Sequence, residues 1–110
     1  MNLENIARNY FKSFENMNLD ELSDMFDEQV TLKDWNIEAH GKQSVLEANE
    51  NIFNSVDSIS VEVSNLYISG QTAIAQLLIH VNDEPALPVV DIITFNKNQN
   101  ICSIVAYRGN

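Results

Sequence analysis

The segment Ile59-Ser-Val-Glu-Val-Ser-Asn-Leu-Tyr-Ile-Ser69 decides the fold, because the spacing of the apolar residues changes there. Before it, apolar side chains recur every three to four residues, which is typical of amphipathic helices. In its first half they alternate with polar residues, which predicts a strand with one buried face. From Leu66 onward the alternation takes the opposite phase, so we predict a β-bulge near Ser64–Asn65.

Three helices are predicted before this segment. Apolar residues at helical spacing favour helices over about 2–17, 19–26 and 42–54. Between the second and third helices, residues 29–33 are predicted to form a short strand and residues 36–41 a loop. The first half of the chain is therefore mainly helical.

Three further strands are predicted after the segment, over 72–81, 86–95 and 101–107, with polar turns between them. The economical arrangement is one α+β domain over 1–110, with three N-terminal helices packed in a curved, mostly antiparallel sheet. The open end of a sheet that wraps around helices is a natural place for a pocket.

Composition restricts the class of ligand. The net charge is −10, from 16 acidic and 6 basic residues, so we expect neither nucleic acid nor an anionic membrane as a partner. Cys102 is the only cysteine and the first residues show no secretory pattern, so we expect a cytoplasmic protein. Metal-ligand spacing and phosphate-binding motifs are missing, so we expect no metal and no cofactor. The expected ligand is a small apolar or weakly polar molecule.

Asp91 is the most informative single residue. It lies within Leu87-Pro-Val-Val-Asp-Ile-Ile-Thr-Phe95, a strand whose two faces are both apolar. Because a bare buried carboxylate is costly, this group is expected to stay protonated or to find a hydrogen-bond donor. A neutral carboxylic acid in a pocket can donate a hydrogen bond to a developing oxyanion. Alternatively, Asp91 accepts hydrogen bonds from its neighbours and has a purely structural role.

Two other polar side chains are candidates for the same chemistry. Asp34 follows the first predicted strand and precedes Trp35, so it is a candidate general base at the mouth of a pocket. It is also an ordinary residue for a turn. Tyr10 lies on the buried stripe of the first helix, between Ile6 and Phe14. It either packs in the core or offers its hydroxyl group to the site of Asp91.

The order of these elements resembles that of the NTF2-like superfamily, and within it the SnoaL-like and ketosteroid isomerase-like branch. The resemblance covers nearly the whole chain and implies an NTF2-like (cystatin-like) cone. The stretches that carry it are Tyr10-Phe11, Asn18-Leu-Asp-Glu-Leu22, Val30-Thr-Leu-Lys-Asp34, His40-Gly41, Val90-Asp-Ile-Ile-Thr-Phe95 and Ile101-Cys-Ser-Ile-Val-Ala-Tyr107.

The resemblance also implies roles for the candidate residues. In ketosteroid isomerases a tyrosine and a protonated aspartic acid stabilise an oxyanion, while a second aspartate moves the proton. By resemblance, Tyr10 and Asp91 are the oxyanion donors and Asp34 is the base of an isomerase or lyase. The side chains expected to contact the ligand are Trp35, Phe14, Phe53, Val89 and Ile93.

Family members commonly form dimers through the sheet, so the resemblance implies a homodimer. The residues expected to supply its face are Val90, Ile92, Ile104 and Ala106. The alternative to an enzyme is a non-catalytic module for ligand binding or dimerisation, in which the buried aspartates are structural.

Overall fold

The first helix, α1, runs over Leu3–Glu15, and its start is fixed by a cap. The side chain of Asn2 accepts a hydrogen bond of 2.8 Å from the backbone N–H of Asn5, which satisfies one of the free donors of the first turn. This computed structural model describes residues 2–109. Met1 and Asn110, the two ends of the predicted domain, lie outside the described residues.

Two more helices and six strands follow. The second helix is capped in the same way, because the side chain of Asn18 accepts from the N–H of Glu21. The remaining elements are α2 (Leu19–Met25), β1 (Phe26–Lys33), β2 (Glu38–His40), α3 (Lys42–Asn54), β3 (Ile59–Ser69), β4 (Thr72–Val81), β5 (Leu87–Phe95) and β6 (Ile101–Arg108).

The six strands form one sheet in the order β2-β1-β6-β5-β4-β3. Four neighbouring pairs are antiparallel, and β1 pairs with β6 in parallel. The predicted α+β architecture, three helices packed against a mostly antiparallel sheet, is confirmed. The predicted bulge is confirmed as well, since the register between β3 and β4 shifts between Val63 and Asn65.

One element was wrongly predicted as a loop. Residues 36–41 contain β2, in which Ala39 pairs with Leu32 of β1. Three residues are too few for alternation to be visible, and Glu38 and His40 are both polar and exposed. The first strand also begins at Phe26, three residues before the predicted start at 29.

The core lies between the helices and the face of the sheet that they cover. Its largest fully buried side chains are Leu22, Ile93, Ile101, Val30 and Val45. No helix within residues 2–109 is long and apolar enough to cross a membrane.

The face of the sheet that the helices cover includes two residues that were expected on the dimer face. Ile104 pairs with Ile93, and Ala106 pairs with Asp91, so both point to the same side as the core. The expectation for Ile104 and Ala106 is therefore wrong. Alternation along a strand gives its period, but without the register of its neighbour it does not say which set faces inward.

Candidate active site

A cavity of about 170 Å3 lies between the helices and one end of the sheet. At this end β3 and β5 begin and β1, β4 and β6 end, while α1 and α3 cover the opening from the other side. Its polar lining residues are Tyr10, Asp34, Trp35, Asn49 and Asp91, and the rest of its wall is apolar.

Asp91 is on the wall that the sheet contributes. It is 9% exposed, and its cross-strand neighbours on both sides are alanines, Ala75 and Ala106. These short side chains leave space beside the carboxyl group. Burial, and secondarily the negative charge of Asp34, raise the pKa of Asp91 to about 7. No hydrogen bond to this carboxyl group is found within residues 2–109, and with a pKa of about 7 Asp91 keeps its proton below neutral pH and about half of it at pH 7.

Tyr10 is on the helical wall. It is 5% exposed, and its ring contacts those of Phe11, Phe14 and Phe26 at centroid distances of 5.4, 6.3 and 6.3 Å. Burial, and secondarily the charge of Asp91, raise the pKa of its hydroxyl group above the ordinary value. The hydroxyl group therefore stays protonated and is available as a donor.

Asp34 is held at the rim by a tight turn between β1 and β2. Its Oδ1 accepts hydrogen bonds from the N–H groups of Asn36 and Ile37, each at 2.7 Å. Its own N–H donates to the carbonyl of Ile37 at 2.9 Å. These bonds fix the direction of the carboxylate and do not involve Oδ2. The next residue, Trp35, is 40% exposed and also lines the cavity, so its indole lies at the mouth.

The structure therefore brings together the three residues that were predicted to act on a substrate. Their environments differ, since Asp91 and Tyr10 are buried and Asp34 is half-exposed. The negative charge of Asp34 contributes to the raised pKa of Asp91, so the two carboxyl groups are close enough to interact. A carboxyl group whose pKa is raised by burial and a second carboxyl group that lines the same cavity are what proton transfer to and from one ligand requires.

The expected ligand contacts divide into two groups. Phe14, Trp35 and Val89 line the cavity. Phe53 and Ile93 do not line it. Phe53 packs edge-on beneath Phe14 at a centroid distance of 5.1 Å, and Ile93 is fully buried in the core.

One polar residue of the cavity was missed by the sequence analysis. Asn49 lies on the buried stripe of α3, between Val45 and Phe53, and is 2% exposed. Its Nδ2 has no hydrogen-bond partner within residues 2–109. An amide in the middle of an otherwise apolar helical stripe was the available signal. Elsewhere in the same range, no cluster of three or more His, Cys, Asp and Glu side chains is placed to hold a metal ion.

A profile of the SnoaL-like domain matches residues 7–104 of the chain. None of the curated proteins is similar enough to match. Among solved structures, a candidate SnoaL-like polyketide cyclase from Shewanella denitrificans has a TM-score of 0.87 and 15% identity, covering 97% of this chain and 90% of that one.

Two further structures are similar to the same extent. A candidate ketosteroid isomerase from Kribbella flavida has a TM-score of 0.85 and 16% identity, covering 98% of this chain and 78% of that one. SalBIII, an epoxide hydrolase/cyclase-like enzyme of pyran ring formation in the polyether salinomycin, has a TM-score of 0.85 and 18% identity, covering 97% and 90%. At such low identity these likenesses establish the fold.

Proposed function

The chain belongs to the SnoaL-like domain family, and we propose that it is an acid–base enzyme that moves a proton next to the carbonyl group of a small, largely apolar ligand. The observation that carries the proposal is the carboxyl group of Asp91. It is buried beside an apolar cavity, it has a pKa of about 7, and Tyr10 and Asp34 line the same cavity.

The proposed reaction begins at Asp34. Its carboxylate takes a proton from the carbon next to the carbonyl group, and the electron pair of that C–H bond moves toward the carbonyl oxygen. The resulting enolate oxygen accepts hydrogen bonds from the hydroxyl group of Tyr10 and from protonated Asp91. Asp34 then returns the proton to the same or another carbon atom. Isomerisation, cyclisation and dehydration can all start from this enolate.

The depth of burial supports these roles. Donors in a site with little water stabilise a developing charge more than donors in solvent. Asp34 is half-exposed and can exchange a proton with the ligand at the rim, whereas the two donors, Tyr10 and Asp91, are buried. The geometry of the neighbouring turn keeps Asp34 in one orientation before the substrate arrives.

The test is deuterium uptake by a small ketone, such as cyclohex-3-enone, followed by NMR in D2O. In Asp34→Asn the rate is expected to fall by at least about 100-fold, the usual contribution of a general base. In Tyr10→Phe and Asp91→Ala it is expected to fall by about 100- to 1,000-fold, because each removes one donor to the oxyanion. Asp24→Asn, which alters an exposed acid of α2, is the matched control. Equal rates in Asp34→Asn and the unaltered protein would exclude the proposed base.

The non-catalytic alternative makes a different prediction for the same variants. A binding module would hold a phenol in the cavity and lose it in Asp91→Ala, but it would exchange no proton with any ketone.

We also propose that the chain forms a homodimer through the outer face of the sheet, where Ile74, Ile92 and Val105 lie side by side. Sedimentation of Ile92→Lys against the unaltered protein tests this assembly.

A further inference from the structure

Asn49 is a polar side chain of the cavity that the proposed reaction does not use. It is part of the buried stripe of α3 together with Val45 and Phe53, and it lines the cavity beside Ile52. The side chains on a helix face that only packs against a core are apolar. An amide at this position therefore needs a reason other than packing.

The cost of this amide is visible in its hydrogen bonding. Nδ2 is buried and has no partner within residues 2–109. Buried polar groups are nearly always paired, and an unpaired donor destabilises the folded protein. The last torsion of an asparagine side chain is soft, so the amide can turn toward the cavity that its own residue lines.

We propose that Asn49 selects ligands that carry a second oxygen atom. The first oxygen is the carbonyl group held by Tyr10 and Asp91, so the inference rests on the proposed function for that end of the ligand. The second oxygen, a hydroxyl or carbonyl group, accepts a hydrogen bond from Nδ2 of Asn49. The helical amide and the acid of the sheet thus bind two ends of one molecule.

The size of the cavity limits the rest of the ligand. Its volume is about 170 Å3, which is close to that of an engineered apolar cavity of about 150 Å3 that binds benzene. The enclosed part of the ligand is therefore about one six-membered ring. The inferred substrate class is a monocyclic ketone with one further oxygen substituent, and larger groups extend past Trp35 at the mouth.

The test compares probes that differ only in the second oxygen. The three isomers of dihydroxybenzene are matched with the three methylphenols, and dissociation constants are measured by calorimetry or by NMR titration. The unaltered protein is expected to bind at least one dihydroxybenzene about five- to tenfold more tightly than its methyl counterpart, which is the usual effect of one added hydrogen bond. In Asn49→Leu the preference is expected to disappear, while methylphenols bind as well as before or better.

Asn49→Ala and Ile52→Leu complete the set. Asn49→Ala removes the amide without adding volume, so it gives the same readout if the leucine variant does not fold. Ile52→Leu changes a neighbouring wall residue and is expected to keep the preference. An unchanged preference in both Asn49 variants would overturn the inference, as would no preference for any isomer in the unaltered protein.

The outcome is separable from that of the proposed function. Failure of the proposed function appears as a missing rate of deuterium uptake or as an absent effect of Asp34→Asn. Failure of the inference appears only in the ratio of the two dissociation constants. A preference that depends on Asn49 supports the inference whether or not the protein exchanges protons.

Discussion

The inward-facing row of β5 passes through two different environments within four alternate residues. Val89 and Asp91 line the cavity, while Ile93 and Phe95 are enclosed in the packed core. The two halves of the row differ in the helices that pack over them. α1 and α3 line the cavity end, and α2 contributes no residue to its lining, whereas the fully buried Leu22 of α2 belongs to the packed core. One strand thus supplies both stability and a candidate reactive group, and position along it determines which.

The largest expected effect comes from placing a second acid at the next inward position of β5, in the packed core. Ile93→Asp places a carboxyl group where no cavity exists, so we expect the free energy of unfolding at pH 8 to fall by more than about 4 kcal/mol. Urea denaturation measures it. Ile93→Val is the control and is expected to cost about 1 kcal/mol. A loss below about 2 kcal/mol for the aspartate would show that the two halves of the row are equally tolerant.

The pH dependence of stability tests the cavity end by itself. Because the pKa of Asp91 is raised to about 7 in the folded protein, the folded state binds its proton more tightly than the unfolded state does. Its contribution is complete below about pH 4, decreases as the pH rises to about 7, and is constant above that. Asp91→Asn does not titrate, so we expect the stability difference between the two proteins to change by about 4 kcal/mol between pH 4 and pH 8.

The comparison with the variant is essential, because the other acids also contribute to the pH dependence. The chain has 16 acidic residues. Denaturant midpoints at half-unit intervals of pH give the difference directly. Parallel curves for the two proteins would mean that Asp91 has an ordinary pKa and that its environment is not what distinguishes the two ends.

The amide introduced by Asp91→Asn also stays neutral and keeps a donor, so activity above pH 7 should decline less in that variant.

Two valines allow the same truncation at both ends. Val30 is fully buried and lies outside the cavity, whereas Val89 lines it. We expect Val30→Ala to cost about 2.5 kcal/mol, since it leaves a void in a filled core, and Val89→Ala about 1 kcal/mol, since one side of Val89 already faces open space. Thermal or urea unfolding of the two variants decides the point. Equal losses would contradict the difference in packing.

Two alanines provide the opposite change and the smallest expected effect. Ala106→Val adds volume beside Asp91, so we expect phenol binding to weaken about tenfold while stability changes by less than about 1 kcal/mol. Ala73, which pairs with Ile93, is fully buried. Ala73→Val is expected to lower stability and leave phenol binding unchanged. The reverse pattern would place the open space at the other end of the strand.

Much of the fold follows from residue patterns that are local. α3 and β4 have the predicted bounds of 42–54 and 72–81, because apolar periodicity and turn residues both mark them. The bulge in β3 was visible as a change of phase. β2 was not visible, since its pairing with β1 depends on a partner and not on its own three residues.

The candidate site was predictable from the sequence where a polar side chain lies in an otherwise apolar segment. An acid in an apolar strand pointed to Asp91 without any knowledge of the cavity. Asn49 is a conflict of the same kind on a helix, but its short amide is easily overlooked beside Val45 and Phe53. The separation of Phe53 and Ile93 from the cavity lining depends on which helix covers each part of the sheet. No single segment of the chain contains that information.

The parallel pairing of β1 with β6 determines when the molecule can be completed. Within residues 2–109, β6 is the only strand that links the β2–β1 hairpin to the other three strands, and residues 101–108 are synthesised after all of them. Until they leave the ribosome, the β2–β1 hairpin and the strands β3 to β5 cannot join into one sheet, and their apolar faces stay exposed. The sheet is therefore expected to close only after its sixth strand has been synthesised, and folding should be limited by this contact between distant segments.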